Sequence, residues 1–473
     1  MSGLLARSVS LAAIALAATG AAWAQDTKKD APKEAPKAST TLSGGAAKTT
    51  EGDASFKING RVQYDVFNVS TDGAAAVDQD YSRAFVRRAF LGVEGQFTKE
   101  WRYNIKLAFQ PGADQASAST TTVRLCQNST TSVIAQRSIC LGGEADRGPV
   151  VIAVSASGAD TEVGFDDAYI QYVTGPWEIV LGQNSLVAPM EERTSSLNTP
   201  FNERSGMVNA FGFTKTMGVA VGTSGDNWSA AAGVYGDDLN NPESTNTSET
   251  ISLQARGAWA PIYSQSADGI TLLHLGLNAR YRDNAGGPDA TGIRGPGFRY
   301  RARPETGFGD RFVDTGSVAY AQDAFLGAEF AAQHNGFSLA GEYGQLSAKP
   351  QSGATLTSDS SFTGGYLDLM WSPTGDNRYY KVKHGAFGNV TPHHMLGADG
   401  FGAVTLGLRY DFLDLTDGAM DGGQQKGFTL QSTWQPLSFL KFQIDYSRLD
   451  IDRPASPLSG TADVITMRSQ IEW

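Results

Sequence analysis

The stretch MEERTSSLNTPFNERSG, residues 190–206, concentrates side chains suited to holding an anion. Arg193 and Arg204 supply guanidinium forks, and Thr194, Ser195, Ser196 and Ser205 supply hydroxyl donors. An oxyanion such as phosphate is held by charge-assisted hydrogen bonds from such groups. The same letters allow a plainer reading, in which Glu191 and Glu192 pair with Arg193, and Glu203 pairs with Arg204.

Other chemistry is sparse. Of five histidines only His393 and His394 are adjacent, after Pro392 in a turn-like context. No G-x-S-x-G, H-E-x-x-H or phosphate-loop pattern occurs, so an enzyme is not expected, nor a cofactor or metal. Cys126 and Cys140 lie close together in a polar stretch. In an oxidising compartment they are expected to form one local disulfide, the alternatives being two free thiols or metal ligands. The formal net charge of −11 argues against nucleic acid as a partner.

The elements that must position these groups are strands. In FKINGRVQYDVF, Phe56, Ile58, Val62, Tyr64 and Val66 alternate with Lys57, Asn59, Arg61, Gln63 and Asp65. In WRYNIKLAFQ, Trp101, Tyr103, Ile105, Leu107 and Phe109 form the greasy set, against Arg102, Asn104, Lys106, Ala108 and Gln110. Strand side chains alternate between faces, so each segment has one apolar and one polar face. Sixteen such segments begin near residues 56, 82, 101, 162, 177, 213, 226, 249, 270, 322, 336, 361, 402, 426, 438 and 462. Short links such as 98–100, 174–176 and 435–437 alternate with long ones such as 111–161, 185–212 and 283–321. The link 372–401 breaks the pattern, being long on the short-link side.

An even strand number, strands of about ten residues and links of alternating length predict a transmembrane antiparallel β-barrel of all-β class. Seven tryptophans, 101, 177, 228, 259, 371, 434 and 473, all fall at one end of their strands, as an interfacial girdle requires. A soluble β-protein would seal its apolar faces inside, whereas here the polar face bears Arg, Lys, Asp, Glu and Gln along nearly every strand. Charges turned to lipid would cost about 2–4 kcal/mol each near the midplane, so that face is assigned to a watery lumen.

Residues 1–24 have a basic head at Arg7, an apolar run from Leu11 to Ala18 and a small-x-small site at Ala22-Trp23-Ala24. They read as a secretory signal cleaved before Gln25. Residues 25–55, rich in Lys, Ala, Pro, Ser and Thr, read as a flexible periplasmic tail, and 56–473 as the barrel. This places the protein in the outer membrane of a Gram-negative bacterium, among lipid and lipopolysaccharide.

Specific words in the sequence resemble the phosphate-selective porin O/P family. They are GGYLDLMWSPTGDNRYYKVKHGAFGNVTP, LGLRYDFLDLTD, GGQQKGFTLQSTW, VRRAFLGVEGQFTKEWRYNIKLAF and MEERTSSLNTPFNERSG. The resemblance covers nearly the whole barrel, with gaps near 111–161 and 283–321. It implies a sixteen-stranded porin, trimeric, with an inward-folded third loop narrowing an anion pathway. On it, Arg193, Thr194, Ser195, Ser196, Arg204 and Ser205 occupy positions resembling the family's constriction. The alternating last strand ending in Trp473 resembles the signal read by the barrel assembly machinery.

A channel selects by lining charge, donors and diameter. The bases expected on the lumen face include Arg61, Arg88, Arg102, Lys106, Arg280 and Arg282, with Lys57, Arg256, Arg409, Lys441 and Arg468. The acids are Asp65, Glu94, Asp167, Glu178, Glu329, Glu342, Asp368, Asp411, Asp445 and Glu472. The first three strands show five bases against two acids, and the eighth and ninth show three bases and no acid. Such stripes can focus anions within an acidic protein. The expected function is passive passage of small anions, phosphate foremost. The alternative is a general or cation-preferring diffusion porin.

Overall fold

The structure, a computed structural model, describes residues 39–43, 46–72, 80–110, 119–126, 131–134, 137–140, 146–154, 162–240, 250–266, 269–284, 297–316, 320–351, 356–398, 400–453 and 459–473. The expected signal segment lies outside these residues. So do the side chains of Cys126 and Cys140.

Sixteen strands close into one antiparallel barrel. They begin with β1 (Ala54–Asp72), β2 (Tyr81–Gln96), β3 (Trp101–Gln110), β4 (Glu162–Thr174), β5 (Trp177–Asn184) and β6 (Thr216–Ser224). Next come β7 (Trp228–Tyr235), β8 (Thr250–Ser266), β9 (Gly269–Asn284), β10 (Tyr320–His334) and β11 (Phe337–Pro350). The set ends with β12 (Ser360–Trp371), β13 (Ala403–Asp417), β14 (Met420–Leu437), β15 (Leu440–Asp452) and β16 (Gly460–Glu472). Closure is by β16 on β1, from Thr461 opposite Asp72 to Glu472 opposite Arg61. Trp473 completes it, exchanging backbone hydrogen bonds of 3.0 Å with Gly60 in both directions. No helix among the described residues is long and apolar enough to cross a membrane.

Every strand expected from alternation is present. The largest offset is at β14, which starts at Met420 instead of 426 because a tight turn at Gly418 lets the ladder run further. The outer face carries exposed apolar side chains, Ile105, Leu277 and Phe428 among them, while Gln63, Asp65 and Arg409 are buried on the inner face. The tryptophans lie at the short-turn end, with Trp228 opposite Trp259 and Trp371 stacked on Phe337 at 5.9 Å.

Part of the stretch expected to be a tail is paired. Strands Ser39–Ser43 and Ala46–Glu51 form a hairpin, and the second continues onto β1, Ala47 opposite Ile58. Alternation there runs through Thr and Ala, too weak in hydrophobicity to mark a strand.

The long link 372–402 is also structured. Strands Arg378–Lys381 and Ala386–Val390 flank a 3₁₀ turn, Val382–His384. Tyr380 and Phe387 are buried in a cluster with Met190, Ile270, Leu272, Ala331 and Ala340. The link therefore packs against inner-face residues of β9, β10 and β11. Tyr380 and Phe387 are shielded there, which accounts for a long connection on the short-turn side. Residues 297–316 pack similarly, with Tyr300, Ala302 and Val313 beside Phe211, Leu346, Phe362 and Leu415.

Candidate pore-lining site

Residues 185–215 join β5 to β6 and contain two short helices, α1 (Met190–Arg193) and α2 (Gly206–Phe211). Ser205 caps α2, its Oγ accepting from the Val208 N–H at 3.3 Å, and Gly212 ends it in the left-handed region at φ 64°. Buried acids of the wall accept backbone N–H groups of this segment. Glu342 takes Glu191 N at 2.8 Å, Asp445 takes Asn202 N at 2.7 Å, and Asp411 takes Gly206 N at 3.0 Å. Lumen donors satisfy its carbonyls: Gln63 reaches Ser196 O at 3.1 Å and Lys441 reaches Leu197 O at 2.7 Å.

The segment's own acids reach wall arginines. Arg409 grips Asp368 through Nε and Nη2 at 2.7 and 2.9 Å, and Glu191 through Nη2 at 2.6 Å. Glu203 receives Arg87 through two bonds of 2.8 Å and Arg468 at 3.0 Å. Burial alone would raise the Glu203 carboxyl, but the Arg87, Arg88 and Arg468 guanidiniums hold it well below the usual carboxylate range.

The short-range pairing allowed by the sequence does not form. Glu191 goes to Arg409, Glu203 to Arg87 and Arg468, and Glu192 to Arg204 at 3.1 Å. Positions one and two apart in a helix do not face each other, which keeps Glu191 and Glu192 from Arg193. Arg193 has no carboxylate within salt-bridge distance among the described residues. Arg204 donates to the carbonyls of Glu191, Glu192 and Thr194 at 3.3, 3.3 and 3.1 Å, so it closes the end of α1. Ser205 donates to Glu191 at 2.8 Å, and Thr194 donates to Met190 O at 2.9 Å.

Among the lumen bases, Arg61 and Arg88 come together with Ser195 and Ser196. Arg61 lies 4.2 Å over the Phe90 ring and reaches Ser195 Oγ at 3.4 Å, while its Nε is buried without a partner. Arg88 donates to Gln63 at 3.1 Å, and Gln63 holds Ser196. The others stand apart. Arg102 is exposed near the short-turn end, and Lys106 pairs with Asp167 at 2.7 Å. Arg280 and Arg282, on β9, face Asp323 of β10; Arg280 donates to Phe211 O at 2.7 Å, and Arg282 donates to Asp323 through Nε at 3.0 Å. The three-base stripe on β8 and β9 is thus neutralised by its neighbour, because Arg256 also pairs with Glu329 of β10 at 2.6 Å.

Strict alternation misses two groups. Register shifts between β1 and β2 and between β3 and β4 insert Arg87 and Asp166 as bulge residues. Arg87 and Arg88 therefore both bond to lumen partners, as do Asp166 and Asp167. Lys215 joins the second pair at 2.8 Å to each acid, and despite burial these carboxylates hold its ammonium pKa above the usual range. The doublets RR and DD inside alternating segments were the available signal. The basic run RYYKVKH, 378–384, was the signal for the link.

A cavity of about 460 Å³ opens beneath this group at the short-turn end. Its walls carry Lys57, Arg61, Lys106 and Lys381 against Glu94 and Glu472, four bases to two acids.

The family model for phosphate-selective porin O and P matches residues 56–137 and 145–473. An uncharacterized protein of Caulobacter vibrioides is 32% identical over 331 residues, covering 68% of this chain and 64% of that one, just under two thirds. Porin O of Pseudomonas aeruginosa is 25% identical over 432 residues, covering 86% of this chain and 82% of that one. The fold is similar to the anion-selective porin from Comamonas acidovorans, at 11% identity and TM-score 0.49 over 89% of this chain and all of the other. It is similar also to the outer membrane channel DcaP of Acinetobacter baumannii, at 10% identity and TM-score 0.48 over 90% and 99%. A closed sixteen-stranded barrel with a girdled apolar exterior, matched by the family model over most of its length, is an outer-membrane channel, and the chain belongs to the phosphate-selective porin O and P family.

Proposed function

We propose that the protein gives small anions, phosphate foremost, passive passage through a lumen narrowed by residues 185–215 folded inward, and that it works as a homotrimer. The observation that supports this best is the cluster of Arg61, Arg88, Ser195 and Ser196 above a cavity with a twofold excess of bases. Arg61 and Arg88 have no carboxylate within salt-bridge distance among the described residues, so their charge is available to a solute. Within a protein of formal charge −11 such a patch raises local anion concentration. Arg193 adds a further charge that is unpaired among the described residues. Arg204, Ser205 and Thr194 serve the loop's own structure in this reading.

A general or cation-preferring pore is the second reading. It is favoured by the carboxylate partners of Lys106, Arg204 and Arg282. Reversal potential in a KCl gradient across a planar bilayer decides between them. Anion-selective reversal, with chloride current blocked by added phosphate and the block lost in Arg61→Gln, supports the proposal. Cation-selective reversal without block overturns it.

A further inference from the structure

Arg193 differs from its neighbours in what holds it. Arg204 and Arg409 are neutralised by carboxylates, whereas Arg193 is bound by carbonyls and an imidazole. Its Nη1 donates to Ser185 O at 3.1 Å and also to Leu186 O. Its Nε donates to His384 O at 2.9 Å, and its Nη2 meets His384 Nδ1 at 3.2 Å. Arginine has only donors, so His384 Nδ1 must be the acceptor and the ring is neutral, with its proton on Nε2. The same turn takes a second guanidinium: Arg256 of β8 donates to His384 O at 2.9 Å and to Gly385 O at 2.6 Å. Gly385, at φ 56°, makes this approach possible, since a Cβ there would lie 2.9 Å from Arg256 Nη1. Lys383, adjacent, pairs with Glu178 at 3.5 Å.

The β12–β13 link is therefore tied to the wall by Arg256 and to residues 185–215 by Arg193. Because Arg193 is a charge without a carboxylate partner among the described residues, the place where it is pinned decides where that charge sits in the lumen. We propose that His384 is a positioning residue for conduction: through its Nδ1 it fixes Arg193, so that the β12–β13 link sets the ion preference of the constriction. This rests on the reading of residues 185–215 as the constriction of an anion pathway.

The test uses refolded full-length protein in planar bilayers with a KCl gradient. His384→Leu should lower the chloride-to-potassium permeability ratio about two- to tenfold, the range spanned by one hydrogen bond. His384→Asn, which puts an acceptor oxygen near the place of Nδ1, should restore most of it; a merely space-filling role would not be rescued this way. Arg193→Gln should reproduce the His384→Leu ratio, and the double variant should add nothing, because the two act as one unit. An unchanged ratio in His384→Leu, absence of rescue by His384→Asn, or additive effects in the double variant would overturn the proposal. Heat-modified migration on gels checks that each variant is folded, and Arg193→Gln with His384→Asn still tests the clamp if His384→Leu does not fold. A wild type that prefers potassium would sink the anion reading alone, since the clamp is judged by the change between variants.

Discussion

Arg409→Met is the most informative perturbation of the lumen. Arg409 is wholly buried and makes four hydrogen bonds, two to Asp368, one to Glu191 and one to Glu203 O at 3.2 Å. Methionine fills much of the same space but leaves Asp368 and Glu191 buried without a countercharge. Breaking one side of a buried ion pair costs about 3–5 kcal/mol, more than the pair itself contributes, since the orphaned charge is the main penalty. The bonds to Glu191 and Glu203 O also fix both ends of the segment carrying Ser195 and Ser196. Destabilisation should therefore come with larger and noisier single-channel conductance. The assay is reversible denaturant unfolding in lipid vesicles, followed by tryptophan fluorescence, alongside bilayer recording. Adding Asp368→Asn and Glu191→Gln removes the orphaned charges and should recover about half the loss or more. The reasoning fails if Arg409→Met costs under about 1 kcal/mol, or if the triple variant is no more stable than the single one.

Three further outcomes are expected. Gly60→Val should block closure of the barrel, because a Cβ at Gly60 would lie 2.3 Å from the Trp473 ring; the heat-modifiable folded band on gels would be lost. Lys215→Met should cost about 3 kcal/mol in the same unfolding assay, since Asp166 and Asp167 are then left side by side against Lys106 alone. For Glu203 the folded carboxyl lies below its unfolded value near 4.3, so its stabilisation is full above that pH and is lost progressively as pH falls from there through the depressed folded value. The Glu203 contribution, read in the same unfolding assay as the difference between wild type and Glu203→Gln, should consequently stay unchanged from pH 7 to about 5, and in Arg87→Gln it should be smaller throughout that range.

Much of the barrel was legible because alternation over sixteen segments is a local signal, and each segment can be read alone. Burial of Asp65, Asp368 and Asp445 followed from parity. Arg87 and Asp166 were missed because a bulge shifts the register by one, and nothing in a period of two marks the shift except a like-charge doublet. The partners of the third-loop acids were not legible at all. Glu191 and Arg409 are 218 positions apart, and Glu203 and Arg468 are 265 apart, so only closure of the barrel brings them together. Asp323 shares the parity of Glu329 yet is absent from the acids expected on the lumen face, and its two arginines sit on the preceding strand in a register that a long link obscures.

The arginines of the lumen divide by partner, and the division has a consequence that can be measured. Arg87, Arg256, Arg282, Arg409 and Arg468 each hold a carboxylate and in doing so fasten a loop or a strand to another element, while Arg204 holds Glu192 within residues 185–215. Arg61, Arg88 and Arg193 bond to hydroxyl, amide, carbonyl or imidazole groups, which leave their charge uncompensated. A paired charge has a short-ranged field, while a bare one in a low-dielectric wall acts on a passing ion. Substituting the first set should thus reduce stability by about 3–5 kcal/mol, and substituting Arg61 or Arg88 should change the permeability ratio at the smaller cost of about 0.5–1.5 kcal/mol per hydrogen bond removed. Arg468→Met and Arg88→Gln make the sharpest contrast. Both arginines lie near Glu203, yet only Arg468 pairs with it and with Asp65, at 2.7 Å. If Arg88→Gln unfolds the barrel while Arg468→Met only shifts the reversal potential, the division between anchoring and lining charges is wrong.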